Sequence, residues 1–595
     1  MWNPDGSVHF EVWAPAADRL EVVTRGKSAP MERDSCGVWR GRVADVAPGG
    51  DYWYRMNGKA DRADPVSRWR PEGVHGPSRV TDPGDFDWDE GDWVGLAVRD
   101  LIIYELHVGS FTEAGTFEAI IPRLELLREL GITAIELMPV AEFPGRRNWG
   151  YDGVSLYAPQ SSYGGPTGLR RLVNAAHRAG LAVVLDVVYN HLGPEGNYLR
   201  DFGPYFTDRY RTLWGEGWNL DGPESDEVRR YILDNALYWM TEFRIDGLRL
   251  DAADTIVDQS ALHLLEELGE VVHRQADRLG RRVHVIAETA ANDPRYVRNP
   301  GVGGFGLDAQ WSDDFHHAVH VALTGEHEGY YADFGGIAPI AKALAERFVN
   351  DGRYSLSRRR RHGRPAADLP ADRFVVCVQN HDQVGNRARG ERLSALVPPG
   401  ALRLAAAILL LSPYIPLLFM GEEYGETHPF LYFVSHSDPA LVEAVRDGRR
   451  HEFAAFGWTG EVPDPQAEPT FERSRLDWDA AQRAPHAQLR ALYRDLLEVR
   501  RTVPALKPGV AAVGVSFDEA AGWVRLALSA GRDHLLGVFN FSRERRQIAV
   551  EPSRDWKLAL STDAVAYGGG GRAELILGEV VLPPLSAVLL RAGAA

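Results

Sequence analysis

The sequence predicts a multidomain chain: a central (β/α)8 TIM barrel flanked by an N-terminal immunoglobulin-like β-sandwich and a C-terminal β-sandwich. Three observations carry that reading. Eight short apolar segments between residues 101 and 421 alternate with helical stretches. Those segments are oily on both faces, as strands of a parallel sheet covered by helices must be. The two ends of the chain have a different texture, with short alternating or aromatic runs separated by Gly, Pro and Asp. Eight repeats suit a closed barrel better than an open sheet. The expected units are residues 1–92, 93–508 and 509–595.

The elements follow in order. VHFEVWAP, LEVVTRG, GVWRGRV and DYWYRMNG are the strands expected of the first sandwich. Its Trp39, Trp53 and Tyr54 suit a packed core better than a glycan-binding face, because strands favour aromatics. The barrel opens with LIIYELHV. A helix follows, with Phe117, Ile120, Ile121, Leu124 and Leu127 at helical spacing and Gly131 as its stop. ITAIELMPV, AVVLDVVYN, IDGLRLDA, VHVIAE, GLDAQW, RFVVCVQN and PLLFMG supply the other seven strands. AAVGVSF, GWVRLALSA, HLLGVFNFS, WKLALST and AELILGEVVL form the last sandwich.

Composition narrows the function. The 595 residues carry a net charge of −17 with no long basic tract, which argues against nucleic acid. Arg358 to Arg361 read as a solvated loop. The start lacks the basic head and apolar run of a signal peptide. The longest oily stretch is interrupted by Pro413 and Pro416, too short for the ~20 residues that cross a bilayer. Cys36 and Cys377 offer neither a disulfide framework nor a metal cluster. A cytoplasmic protein with no membrane partner is expected.

In such a barrel, chemistry sits at the C-terminal ends of the strands. DVVYNH brings Asp186, Asn190 and His191 to the end of strand three, and GLRLDAAD brings Arg249 and Asp251 to strand four. Strand five ends in Glu288, and strand seven in His381 and Asp382. Residues two apart on a strand share a face, so Arg249 lies beside Asp251 and favours its ionised form. Glu288 follows an apolar run, where a carboxyl keeps its proton. Two carboxyls whose environments push them apart are what glycosidic bond cleavage requires, with Asp382 as a third.

At these four motifs, DVVYNH, GLRLDAAD, VIAET and VQNHDQ, the sequence resembles the α-amylase superfamily, the family 13 glycoside hydrolases. The resemblance implies Asp251 as nucleophile, Glu288 as acid/base and Asp382 as transition-state stabiliser. His191, Arg249 and His381 would surround the cleaved sugar, and Tyr151 of WGYDG would stack on it. The chain has Asp254 and Thr255 where many members carry a Lys-His pair, which implies a different leaving group. FEVWAP resembles the first domain of isoamylases and branching enzymes.

Longer stretches, including NWGYDGVSLYAPQSSYGGP and LYFVSHSDPALVEAVRDGRRHEF, resemble members that hydrolyse the α-1,4 bond next to a terminal trehalose. Their substrate is maltooligosyl-trehalose, and a synthase that makes it is the implied functional partner. Asp254, Asp313, Phe315, His316, Gln383 and Asn386 would line the cleft. The alternatives are a glucan branching transferase, an isoamylase-type debranching enzyme, or a non-catalytic glycan-binding protein.

No cofactor or required metal is expected. GVGGFG (301–306) has dinucleotide-loop spacing but runs into a strand rather than a helix. Adjacent His316 and His317 cannot readily share one tetrahedral ion. Asn190 could help hold calcium, but the loop after it offers no clear oxygen cluster.

Overall fold

The computed structural model describes residues 2–3, 5–212, 214–455, 462–550 and 554–592. Its centre is a closed barrel of eight parallel strands: Ile103–Leu106, Ala134–Leu137, Ala182–Val187, Gly247–Leu250, His284–Ala287, Ala309–Trp311, Phe374–Cys377 and Ile415–Phe419. Each pairs with its neighbour in sequence, and the eighth closes on the first. Seven lie inside the segments expected from hydrophobicity, and the eighth starts one residue before PLLFMG, at Ile415.

The helices are cut where the sequence cuts them. Thr116 caps Phe117–Leu130 by accepting from the Ala119 amide. Gly131 ends that helix at φ +112°, a left-handed conformation that costs glycine little. Phe117, Ile120, Leu124, Leu127 and Leu130 form its buried face, and Ile121 lies half-buried at the edge of that face.

The barrel interior is layered. Its lower part is apolar, with Ile103, Ala134, Ala182, Ile286, Ala309, Val375, Ile415 and Leu417 in one cluster. Further along the strands, Glu105, Glu136, Asp186 and Arg249 replace apolar side chains, and all four are almost wholly buried. The barrel is dry below and ionic just under its mouth.

On the N-terminal side, Ser7–Trp13, Val38–Ala44 and Glu32–Arg33 form one sheet. Lys27–Pro30, Leu20–Thr24, Asp51–Met56, Ala60–Arg62 and Ser78–Arg79 form another. Trp39 and Tyr54 are buried in the core, and Trp53 is half-buried. Trp93, in the segment leading to the barrel, stacks on His177 at 4.9 Å and donates to Asp246. His177 in turn bridges Glu90 and Asp246.

At the far end, five strands pair in one sheet and three in another around Val538, Ile548, Val580, Leu582 and Leu590. Arg546–Ala549 and Ser586–Ala592 are strands beyond those expected from sequence. Gly301–Gly306 is a turn that leads to the strand Ala309–Trp311. Among the described residues no helix is long and apolar enough to cross a membrane, and no group of His, Cys, Asp or Glu could hold a metal ion.

Candidate active site

The site is built at the carboxyl ends of neighbouring strands. Asp251 follows strand four and is nearly buried. One of its oxygens accepts from Arg249 Nη1 at 2.8 Å, and the other accepts from Asn190 Nδ2 at 2.7 Å. The next residue, Ala252, adopts φ +40°. That left-handed turn aims its amide at Glu288 Oε2, 2.6 Å away. The Glu288 amide bonds Leu250, and the Ala253 amide bonds the Glu288 carbonyl. Strands four and five therefore hold Asp251 and Glu288 side by side through their own backbone.

Burial pushes the Glu288 carboxyl well above its ordinary range, against the pull of Arg249. Asp251, Asp313 and Asp382 each add to that rise, so the four carboxyl groups share one electrostatic space. Asp382 is the second residue of the short helix His381–Gly385, and its side chain is 41% exposed. It accepts from Asn386 Nδ2 at 3.1 Å.

Beneath these groups runs a chain of hydrogen bonds. Glu105 accepts from the His381 backbone amide at 2.9 Å and from its Nδ1 at 2.5 Å. His381 Nε2 meets the Tyr151 hydroxyl at 2.7 Å, and that hydroxyl donates to Asp186 at 2.6 Å. Arg249 Nη1 donates to Asp186 at 2.7 Å, and its guanidinium lies 4.6 Å over the Trp311 ring. Burial opposes charge on His381, but Glu105 and Asp382 outweigh it and raise its pKa to about 9. Burial also raises Asp186, to about 6, against the attraction of Arg249.

Tyr151 is placed by its own loop. Gly150 sits at φ +107° with a Cβ there meeting the Pro139 carbonyl oxygen at 2.1 Å, so only glycine fits. The Tyr151 ring lies on His381 at 5.3 Å. His191 Nε2 bonds the Tyr151 carbonyl at 3.0 Å, and its ring stacks on Trp214 at 4.2 Å. Trp214 lies between the hairpin strands Phe206–Thr212 and Gly215–Trp218 and is 45% exposed.

The other expected cleft residues divide. Asp254 and Asn386 are exposed, while Asp313 and Gln383 are half-buried. Burial and Asp382 raise Asp313 to about 7. Two expectations are corrected. Phe315 is 1% exposed and packs edge-on against Tyr414, because it lies on the inward face of the helix Asp313–Thr324. His316 spends Nδ1 on the Val378 carbonyl and Nε2 on Tyr331, with no surface left for a ligand. Arg249 and His381 have no exposed surface and hold Asp251, Asp186 and Tyr151.

Sequence reasoning passed over Glu105, Glu136, Trp311 and Trp214. The first two carry the signal that marked Arg249, a charge near the end of an oily strand (LIIYELHV, ITAIELMPV).

A closed parallel barrel with acidic groups converging at its mouth defines a glycoside-cleaving barrel enzyme. Comparison with known proteins agrees. The model of the alpha-amylase catalytic domain matches residues 84–214, and that of carbohydrate-binding module 48, the isoamylase N-terminal domain, matches residues 1–71. The malto-oligosyltrehalose trehalohydrolase of Saccharolobus solfataricus is 50% identical over 84% of this chain and 86% of its own. Its counterpart in Rhizobium sp. is 45% identical over 98% of both. The crystal structure of an alpha-amylase candidate from Salmonella typhimurium superposes with a TM-score of 0.90 at 38% identity, covering 100% of this chain and 99% of that one. The chain belongs to the α-amylase family, in the branch whose curated members carry the name malto-oligosyltrehalose trehalohydrolase.

Proposed function

We infer that the chain is a retaining glycoside hydrolase acting on maltooligosyl-trehalose. It cleaves the α-1,4 bond between the glucan and the terminal trehalose and releases both. The observation that carries this is the pairing of Asp251, bonded to Arg249 and Asn190, with Glu288, whose carboxyl burial pushes well above its ordinary range. The relatives' name selects the substrate.

Glu288 gives its proton to the glycosidic oxygen, which leaves with the trehalose. An Asp251 oxygen attacks the freed anomeric carbon and forms a glycosyl ester. Glu288, now a carboxylate, takes a proton from water as that water displaces Asp251. Atoms and charge balance, and the two inversions restore the starting anomer. Asp382 faces the sugar and stabilises positive charge on the ring. Tyr151 supports the ring, with Asp254, Asp313, Gln383 and Asn386 along the cleft.

The three units, residues 1–92, 93–508 and 509–595, are read as one catalytic barrel between two supporting sheets. A synthase that builds the trehalose-ended glucan is the partner this reaction implies. Incubation with maltotriosyltrehalose tests the reading: free trehalose and maltotriose are expected. Formation of α-1,6 branches from amylose without trehalose release would instead favour a branching transferase.

A further inference from the structure

Outside the carboxylates at the mouth, the least explained charges are the two glutamates inside the barrel. Glu105 and Glu136 stand opposite each other in register on strands one and two. Each is 1% exposed. A charge this deep is costly unless something holds it. Neither Glu136 oxygen has a hydrogen-bond partner, and burial with Glu105 alongside raises its carboxyl well above the ordinary range. Glu136 is thereby the member of the pair with nothing bonded to its carboxyl.

Glu105 is bonded twice, and both bonds go to one residue. One oxygen accepts from the backbone amide of His381 and the other from its ring. This fixes both where the helix His381–Gly385 begins and how the imidazole is turned. The ring's other nitrogen fixes the Tyr151 hydroxyl, which shares Asp186 with Arg249, and Arg249 in turn holds Asp251. Asp382 is the residue next to His381 in the same helix.

We propose that Glu105 is a positioning residue for the reaction: from strand one it clamps His381, and through it sets both Asp382 and the Tyr151–Asp186–Arg249 bonds that aim Asp251. The proposal rests on the catalytic reading of Asp251 and Asp382 given above. It makes strand one part of the catalytic apparatus, although no side chain of that strand faces the sugar.

Glu105→Gln preserves size and one acceptor but removes the charge. Turnover on maltotriosyltrehalose is expected to fall about 10²-fold, the cost of a displaced reacting group. KM should change less than threefold. Glu105→Asp, which restores the charge, should recover part of the loss.

A double-mutant cycle with His381→Gln separates this role from a structural one. If Glu105 acts through His381, adding Glu105→Gln to the His381 variant costs only what the remaining backbone-amide bond contributes, well short of a further 10²-fold. A full further 10²-fold loss in the double variant would overturn the clamp, as would wild-type turnover in Glu105→Gln. If Glu105→Gln does not fold, the same cycle is run with Glu105→Asp and judged by the same non-additivity.

The pH profile adds a further readout. His381 faces Glu105, Glu136, Tyr151, Arg249, Asp382 and His107. Removing the Glu105 charge lowers the His381 pKa, which the His381 ring protons report by NMR independently of the Glu288 limb of turnover. An unmoved His381 titration contradicts the proposal. Asp251→Asn, assayed in parallel, distinguishes failures: an active Asp251→Asn enzyme overturns the underlying reading, whereas an inactive one beside an unaffected Glu105→Gln overturns only this inference.

Discussion

At the scale of single residues, the account turns on two carboxyls held in different environments a few ångströms of backbone apart. Asp251 is bonded to a guanidinium and an amide, and Glu288 is bonded to one backbone amide. Burial disfavours the charged form of Glu288 and pushes its carboxyl well above the usual range, so it keeps its proton to higher pH than an ordinary carboxyl. Two outcomes follow. Asp251→Asn should lower kcat by at least about 10⁴-fold while circular dichroism and thermal midpoint stay close to wild type. The alkaline limb of kcat/KM, which reports the free enzyme's acid, should vanish from the residual activity of Glu288→Gln. A limb that persists unchanged would take Glu288 out of the acid role.

The elements show what a sequence gives away and what it withholds. Every barrel strand was visible because a strand covered on both faces must be apolar throughout, and a helix between two strands must alternate. The polar strand ends stood out against that oil, which is how Asp251, Glu288 and Asp382 were found. Phe315 and His316 were misplaced because their orientation depends on the start of the helix Asp313–Thr324, and a shift of one residue turns a side chain by about 100°. Trp214 was invisible because the hairpin that carries it has no barrel periodicity.

The junction below the barrel was also hidden, since its parts are far apart in sequence. His177, in the helix Gly165–Arg178, is sandwiched between Glu90 and Asp246. Burial opposes its charge, but the two carboxylates prevail and its pKa is raised. A group charged more readily when folded stabilises fully below its unfolded pKa near 6.5, and that stabilisation fades as pH climbs through the raised value. His177→Gln should therefore lower the thermal midpoint by roughly 3 °C at about pH 6, and by clearly less at about pH 9.5. An equal loss at both pH values would mean that packing against Trp93, not charge, explains the residue's contribution.

At the scale of the whole molecule, one core runs from the first sheet through the barrel to the last, from Val8 to Leu589. The flanking sheets thus brace the barrel on which the carboxylates depend, rather than hanging from it on linkers. That continuity explains why the mouth can hold buried charge: Asp251 and Arg249 are fixed from two neighbouring strands, and the strands are fixed from outside. The measurement that tests this account most directly is proton NMR of the anomeric signals during the first turnovers on maltotriosyltrehalose. If Asp251 and Glu288 act together on one sugar, the new reducing end of maltotriose appears as the α anomer before mutarotation. Appearance of the β anomer first would contradict the account.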